Sequence, residues 1–268
     1  MEKLLRNSIF TETSQPLRIF LKELCLKLPC ESNVYLVGGL VRDLYLGVNG
    51  SKDIDLMVDL CSTEEIIDIL AALKKSNHLR NFQKVGRSFP VFKIRISKFD
   101  EDIDLALART EISTGLGHKD FQVDAERISA KKDGERRDFT VNALFIKLYL
   151  SDNQNLEFKL IDYFNGIGDI KDRKIRAVGD PLLRIQEDPL RILRAYRFCN
   201  QKNFFMDRSL FEVIKNHAAK LLPSISLDRI QSEVIKTIQA NPSKAIKDYL
   251  ECDILNICFP SLACYFPR

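Results

Sequence analysis

Two short segments carry aspartates at alternate positions: Asp53-Ile54-Asp55-Leu56-Met57-Val58 and Asp102-Ile103-Asp104-Leu105-Ala106-Leu107. In an extended chain, side chains two residues apart point to one face, roughly 6–7 Å apart along the backbone. Each segment therefore gathers its carboxylates on one face and its apolar residues on the other. If both strands lie in one sheet, the carboxylate faces can meet. Such a cluster repels itself unless cations enter it. Mg²⁺ suits the arrangement, because it accepts one or two carboxylates and completes its shell with waters and phosphate oxygens. Two such ions roughly 3.5–4 Å apart activate an attacking hydroxyl and stabilise a leaving group. Taken alone, Asp-x-Asp more simply marks the wet face of an edge strand, and its neighbours must decide.

A second feature is Val37-Gly38-Gly39-Leu40-Val41-Arg42-Asp43. A glycine pair between a buried strand and a helix permits close backbone approach, and the helix start offers free N–H groups to a phosphate. Arg42 falls in the first helical turn, where its guanidinium could grip a triphosphate. The segment is neither a Walker A loop nor a G-x-G-x-x-G fingerprint, which excludes the usual ATPase and dinucleotide-dehydrogenase readings.

The elements that must position these residues follow from local pattern. Residues 16–29 have apolar positions at helical spacing. Val34–Val37 reads as a buried strand, and LVRDLYL as a helix stopping at Gly47. Asp53–Val58 is a strand. Ser62 or Thr63 then caps a helix to about Lys75. Val91–Ile96 and Ile103–Leu107 are strands. Residues 110–135, rich in Gly, Lys and Asp, read as a long loop of the kind that is usually functional. Arg137–Tyr149 reads as a helix and Phe158–Asp162 as a last strand. From Asp180 onward helices dominate. The expected class is α+β: a small mixed sheet with flanking helices in residues 1–168, followed by an all-helical region in residues 169–268.

Composition sets few limits. The 268 residues are 45% hydrophobic and 29% charged, with net charge +4, ordinary for a globular chain able to bury a core. That charge is too small to indicate a nucleic-acid partner, although arginines cluster at 173–197. Seven cysteines without a C-x-x-C pair fit reduced thiols. The three histidines are too scattered for a zinc site. No apolar run approaches the roughly 20 residues of a membrane span, and the polar N-terminus does not read as a secretory signal. The default location is the cytoplasm.

Several of these segments occur together in a known order. VGGLVRDLYLG, DIDLMV, DLALARTE (104–111), GLGHKDF (115–121), RRDFTVNAL (136–144), LIDYFNGIGDIKDR (160–173), EDPLRILRAYRF (187–198) and ISLDRIQSEV (225–234) resemble the motifs of class II tRNA CCA-adding enzymes and bacterial poly(A) polymerases. These belong to the polymerase β-like nucleotidyltransferases. The resemblance covers roughly residues 33–260 and implies a nucleotidyltransferase head followed by a helical neck and truncated body. It implies a magnesium-dependent attack of an RNA 3′-hydroxyl on CTP or ATP, with Asp53, Asp55 and Asp104 as catalytic metal ligands. Gly39 and Arg42 match phosphate-holding positions. Arg137 and Asp138 match residues that bind the nucleotide and select its ribose.

In the arginine-rich motif, helical projection places Glu187, Arg191, Arg194 and Arg197 on one arc, with Ile192, Leu193 and Tyr196 opposite. Asp188 and Arg191, one turn apart, are expected to brace each other as an ion pair. The resemblance implies that these two read the base edge of CTP or ATP, with Arg194 and Arg197 as further nucleotide contacts. The implied partner is the 3′ end of tRNA. Poly(A) tailing, partial CC or A addition, and a catalytically weak RNA-binding module are the alternatives. The chain ends soon after the fifth motif. The RNA grip is therefore expected to be short, to come from a second copy or partner subunit, or to have been lost by truncation.

Overall fold

The computed structural model describes residues 15–48, 53–86, 90–99, 101–113, 121–124 and 127–263. The chain divides into two compact units. The first comprises residues 1–111, 123–137 and 142–166; the second comprises 112–122, 138–141 and 167–268.

The first unit is built in chain order from α1 (Gln15–Lys27), β1 (Asn33–Leu36), α2 (Gly39–Tyr45), β2 (Ile54–Asp59), α3 (Thr63–Lys75), β3 (Leu79–Val85), β4 (Val91–Ile96) and β5 (Asp102–Leu107). β6 (Thr110–Ser113), β7 (Phe121–Asp124) and a 3-10 turn at Thr140–Asn142 are each divided between the two units, and the first unit continues with α4 (Ala130–Glu135), β8 (Leu144–Leu150) and β9 (Leu156–Asp162). Seven strands form one mixed sheet in the order β3-β4-β5-β2-β1-β8-β9. The only parallel pair among them is β2 with β5, while the other neighbours run antiparallel.

Alternation explains how this sheet is covered. Ile54, Leu56 and Val58 of β2, Ile103, Leu105 and Leu107 of β5, and Phe92, Ile94 and Ile96 of β4 are all buried. Leu17, Phe20, Leu21 and Leu24 of α1 and Ile66, Leu70 and Leu73 of α3 are buried with them. Both helices carry the apolar stripe of a helix that covers a sheet. The start of α3 is fixed by a reciprocal capping box: Ser62 N–H donates to Glu65 Oε2 at 2.8 Å, and Glu65 N–H donates to Ser62 Oγ at 3.2 Å. The opposite face holds a smaller cluster of Tyr35, Val37, Met57, Ala108, Ala130 and Phe145. Beyond it the alternate residues of β5 and β4 are half-buried or exposed.

Two sequence expectations give way here. Arg137–Tyr149 does not form the expected helix: beyond the short 3-10 turn at Thr140–Asn142, Leu144–Leu150 is a strand flanked on both sides, by β1 and β9. A strand covered on both faces loses its polar alternation, so its apolar run cannot be told from a buried helix by period alone. Residues 110–135 are not one long loop either. β6 and β7 pair as a two-stranded sheet, and Ser129 caps the six-residue α4. Elements this short show no period, and strand pairing is not a local property. The GLGHKDF motif falls mostly at 115–120, outside the described residues.

The second unit contains α5 (Gly166–Lys171), β10 (Lys174–Ile175), α6 (Pro181–Glu187), α7 (Leu190–Gln201), β11 (Phe205–Met206), α8 (Arg208–Leu221), α9 (Leu227–Ala240), α10 (Pro242–Glu251), α11 (Ile254–Cys258) and α12 (Pro260–Ala263). From residue 167 on, the regular elements among the described residues are helical apart from the two-residue parallel pair of β10 with β11. Ile192, Leu193 and Tyr196 of α7 are buried, as the helical projection requires.

Asp59 is the polar hub of the first unit. It is 3% exposed. Its carboxylate accepts from Asn33 N–H at 2.9 Å, Tyr35 O–H at 3.0 Å and Ala130 N–H at 3.1 Å, tying β1, β2 and α4 together. Asp59→Ala strands the last two as buried donors. Urea denaturation is expected to show a loss of about 3 kcal/mol; a loss under about 1 kcal/mol would show that the hub is dispensable.

Candidate active site

The parallel ladder sets Asp55 of β2 directly opposite Asp104 of β5. Directly paired residues share a face, so the two carboxylates lie side by side on the face that the helices leave open. Asp53 is exposed, one residue before β2. Burial, then the charges of Asp104 and Asp53, push the Asp55 carboxyl up to about 6, against the opposing pull of Arg137 and Lys93. Asp104 and Asp53 therefore both act electrostatically on Asp55. Asp102, the other same-face carboxylate of β5, is instead bound to Arg95 at 2.8 Å.

Lys93 stands opposite Asp104 in the β4–β5 ladder and donates to its Oδ1 at 2.9 Å. With Asp104 held by Lys93 and Asp53 exposed, no three His, Cys, Asp or Glu side chains among the described residues are gathered as a metal-ligand set.

The glycine turn packs against this cluster. Val37 N–H donates to the Asp55 carbonyl at 3.0 Å. Gly38 has φ +79°, and a Cβ there would come within 2.8 Å of Asp55 Oδ2. Both the backbone and the neighbouring carboxylate therefore demand glycine at this position. Arg42 lies under the turn, and a Cβ on Gly39 would stand 3.3 Å from its Nη2. The Arg42 guanidinium is buried and shared between Asp43, at 2.9 and 3.1 Å, and Asn142 Oδ1, at 2.6 Å.

Arg137 is fixed from below. Asp133, fully buried, accepts from Arg137 at 3.0 and 3.1 Å and from Arg136 at 2.6 and 2.9 Å. Burial alone would raise the Asp133 carboxyl, yet the two guanidinium groups hold it below the usual range. One charge thus aligns two arginines, and Arg137 spans to the Asn142 carbonyl at 3.0 Å.

In the second unit the arginines of α7 are likewise each held by an acid. Arg194 donates to Asp138 Oδ2 at 2.6 and 2.8 Å, and Arg197 donates to the buried Glu233 of α9 at 2.5 Å. The Phe198 ring lies 4.2 Å from the Arg197 guanidinium. The expected Asp188–Arg191 ion pair does not form. Asp188 binds Arg229 at 3.1 Å, while Arg191 donates to Glu187 Oε2 and to the Arg184 carbonyl, both at 3.0 Å. The reason is a helix break: Asp188 is extended, with φ −140°, and α7 starts only after Pro189. Glu187 and Arg191 accordingly sit on different helices, and the arc drawn through both does not exist as one helix face.

With this geometry in place, comparison with known proteins is decisive. A family model described as "Poly A polymerase head domain" matches residues 34–176. The chain belongs to the poly(A) polymerase head-domain family of nucleotidyltransferases. A second model, "Probable RNA and SrmB- binding site of polymerase A", matches residues 203–266. The head-domain chain is 34% identical over 241 residues to a CCA-adding enzyme of Buchnera aphidicola, covering 88% of this chain and 52% of that relative. It is 32% identical over 243 residues to poly(A) polymerase I of Haemophilus influenzae, covering 87% and 49%. A Thermotoga maritima CCA-adding enzyme solved with tRNA superimposes with TM-score 0.71 at 28% identity, over 97% of this chain and 55% of that one. The chain thus spans about half the length of the curated relatives it matches.

Sequence reasoning passed over Lys93, Asp133, Asn142, Arg229 and Glu233, which orient or neutralise the residues it selected. Lys93 had a detectable signal, since it is the outward residue of an alternating strand. Asp133, in a Lys-rich stretch, gave none.

Stability should report the Asp55 cluster. An Asp with a raised folded pKa is held against a charge it resists, so its destabilising effect is absent below pH 4 and complete above about pH 6. Asp55→Asn removes that charge. The melting temperature of the variant is expected to exceed the parent's by on the order of 3 °C at pH 8 without added metal. The gap should close as pH falls below 5. A gap independent of pH would contradict the assignment.

Proposed function

We propose that this chain transfers C and A nucleotides from CTP and ATP to the 3′ end of tRNA without a template. The observation that carries this reading is the register of Asp55 with Asp104 beside the Gly38-Gly39 turn in a chain of this family. The relatives named CCA-adding enzyme support the choice of product.

The donor set fits a hard divalent cation. All three groups are carboxylates, and burial together with the charges of Asp104 and Asp53 keeps the Asp55 proton affinity high despite Arg137 and Lys93. Asp53 and Asp55 would hold two Mg²⁺ ions and Asp104 would join them on one. When bound, the ions lower the pKa of the attacking hydroxyl and neutralise phosphate oxygens. Gly39, the backbone of the turn and Arg42 receive the phosphates. Arg137, aligned by Asp133, and Asp138 engage the nucleotide sugar. Asp188 and Arg191 read the base edge: a guanidinium donates to the cytosine O2/N3 edge, and a carboxylate accepts from an exocyclic amine. UTP and GTP would leave those groups unpaired. Arg194 and Arg197 add nucleotide contacts. Catalysis is then positioning and electrostatics, with no covalent intermediate.

Residues 1–168 are assigned as the head, and 169–268 as a neck and partial body that reads the base and binds RNA. A second copy or a partner subunit would supplement that grip. The cytoplasm is the proposed location, and no helix among the described residues is long and apolar enough to cross a membrane. The identity with a poly(A) polymerase supports a second reading, A-tailing of RNA.

The test uses labelled tRNA transcripts lacking A, CA or CCA, each with CTP, ATP or both. Extension to a fixed length ending in CCA is expected. An open-ended A tail would favour the second reading, and no extension of any primer would overturn both. Asp53→Ala and Asp55→Ala should each lower incorporation by about 10³-fold or more, and substantial residual activity with Mg²⁺ would remove these residues from the site. Asp188→Asn and Arg191→Ala should reduce discrimination against UTP and GTP by roughly 10–100-fold; unchanged discrimination would place base reading elsewhere.

A further inference from the structure

The row of side chains that begins at Asp55 does not end at Asp104. Asp55 pairs with Asp104, Asp104 with Lys93, and Lys93 with Gln83 of the edge strand β3. One step along, Asp102 pairs with Arg95. The open face of the sheet thus changes from acidic over β2 and β5 to basic and amide over β4 and β3. A groove of about 430 Å³ lies there, lined by Arg80, Arg95, Ile96, Phe99 and Asp102. A second hollow of about 200 Å³, which shares Arg95 and Asp102 with the first, is lined also by Gln83 and Lys93. Lys93 and Arg95 are more than half exposed in their ion pairs, at 51% and 68% of side-chain surface. Pairs so exposed contribute little and exchange partners readily.

The sheet order gives this groove a direction. The glycine turn follows β1, on one side of the carboxylates, while β4 and β3 lie on the other. In nucleotidyl transfer the attacking and leaving oxygens stand roughly in line across the phosphorus. On the reading above, the leaving pyrophosphate lies at the glycine turn, so the attacking hydroxyl must arrive from the β4 side. Two strand spacings, about 10 Å, separate Asp55 from Lys93. That is short enough for the nucleotides just before the reacting hydroxyl.

We propose that the groove over β3, β4 and β5 binds the single-stranded 3′ acceptor end of the RNA, with Lys93 and Arg95 on its phosphates and Phe99 as a wall for a base. Phosphate contacts position a strand without reading its sequence, and an aromatic wall accepts any base. Lys93 then has two successive partners: Asp104 before RNA and cation arrive, and a phosphate afterwards. The inference rests on the proposed transferase activity for its direction of attack.

The test compares Lys93→Gln/Arg95→Gln with the parent and with Lys27→Gln on α1, which lies on the opposite face of the sheet. With tRNA lacking the terminal A, the double variant is expected to raise KM for RNA roughly tenfold while KM for ATP stays within about twofold. Fluorescence anisotropy with a single-stranded eight-nucleotide RNA ending in CC, without nucleotide, should show weaker binding. The slope of log Kd against log salt should be shallower by about 0.7 for each phosphate that the variant no longer neutralises. Lys27→Gln should match the parent in both assays. Unchanged KM for RNA and unchanged anisotropy would overturn the proposal, as would a rise in KM for ATP alone, which would assign the groove to the triphosphate. If the parent extends no RNA, the transferase reading fails. The anisotropy titration would still decide whether this groove holds single-stranded RNA.

Discussion

The parallel pairing of β2 with β5 is the constraint on which the site depends. It is the one parallel neighbour relation in the seven-stranded sheet, and it brings two carboxylates from segments about fifty residues apart onto one face in register. Nothing in that arrangement favours folding by itself, since it sets like charges side by side and raises the Asp55 carboxyl. The buried apolar faces of the same strands supply the stabilisation that offsets it. The neighbouring features answer the same constraint. Gly38 is glycine because Asp55 leaves no room for a Cβ. Lys93 neutralises Asp104, and Asp133 holds Arg137 where its charge is felt at Asp55.

Much of this was legible in the sequence, for identifiable reasons. Alternation in DIDLMV and DIDLAL exposed the strand faces, because each has one wet and one dry side. The stripe of α1 and the cap at Ser62 were readable because they are local. What could not be read was non-local. Consecutive Leu144, Phe145 and Ile146 are buried on both faces of β8, so that strand lost its alternation. β6 and β7 exist only through each other. The Asp188–Arg191 pair failed at a single residue: Pro189 forces its predecessor out of helical conformation, which sends Asp188 to Arg229 instead. The acids that hold the arginines, Asp133 and Glu233, carry no sequence signature because their importance lies in burial.

The second unit repeats this logic in helical form. Arg191, Arg194 and Arg197 each have a fixed acidic partner, namely Glu187, Asp138 and Glu233. A long, flexible cation so held loses little further entropy when it meets a ligand. On the proposed function, preorganisation of this kind suits a surface that distinguishes similar bases by the polarity of their edges. The acids thereby do for the arginines what Lys93 does for Asp104: each holds a charge in place until a ligand can use it.

The central claim is that Asp53, Asp55 and Asp104 form one electrostatic unit that a divalent cation completes. Carbon-13 NMR titration of the Asp55 carboxyl, with and without Mg²⁺ and in parent and Asp104→Asn protein, tests it most directly. The account predicts a titration near pH 6 in metal-free parent protein, a lower value in Asp104→Asn, and a fall well below 6 in the parent when Mg²⁺ is added. A titration near the ordinary aspartate value in all samples, indifferent to both Asp104 and Mg²⁺, would contradict it.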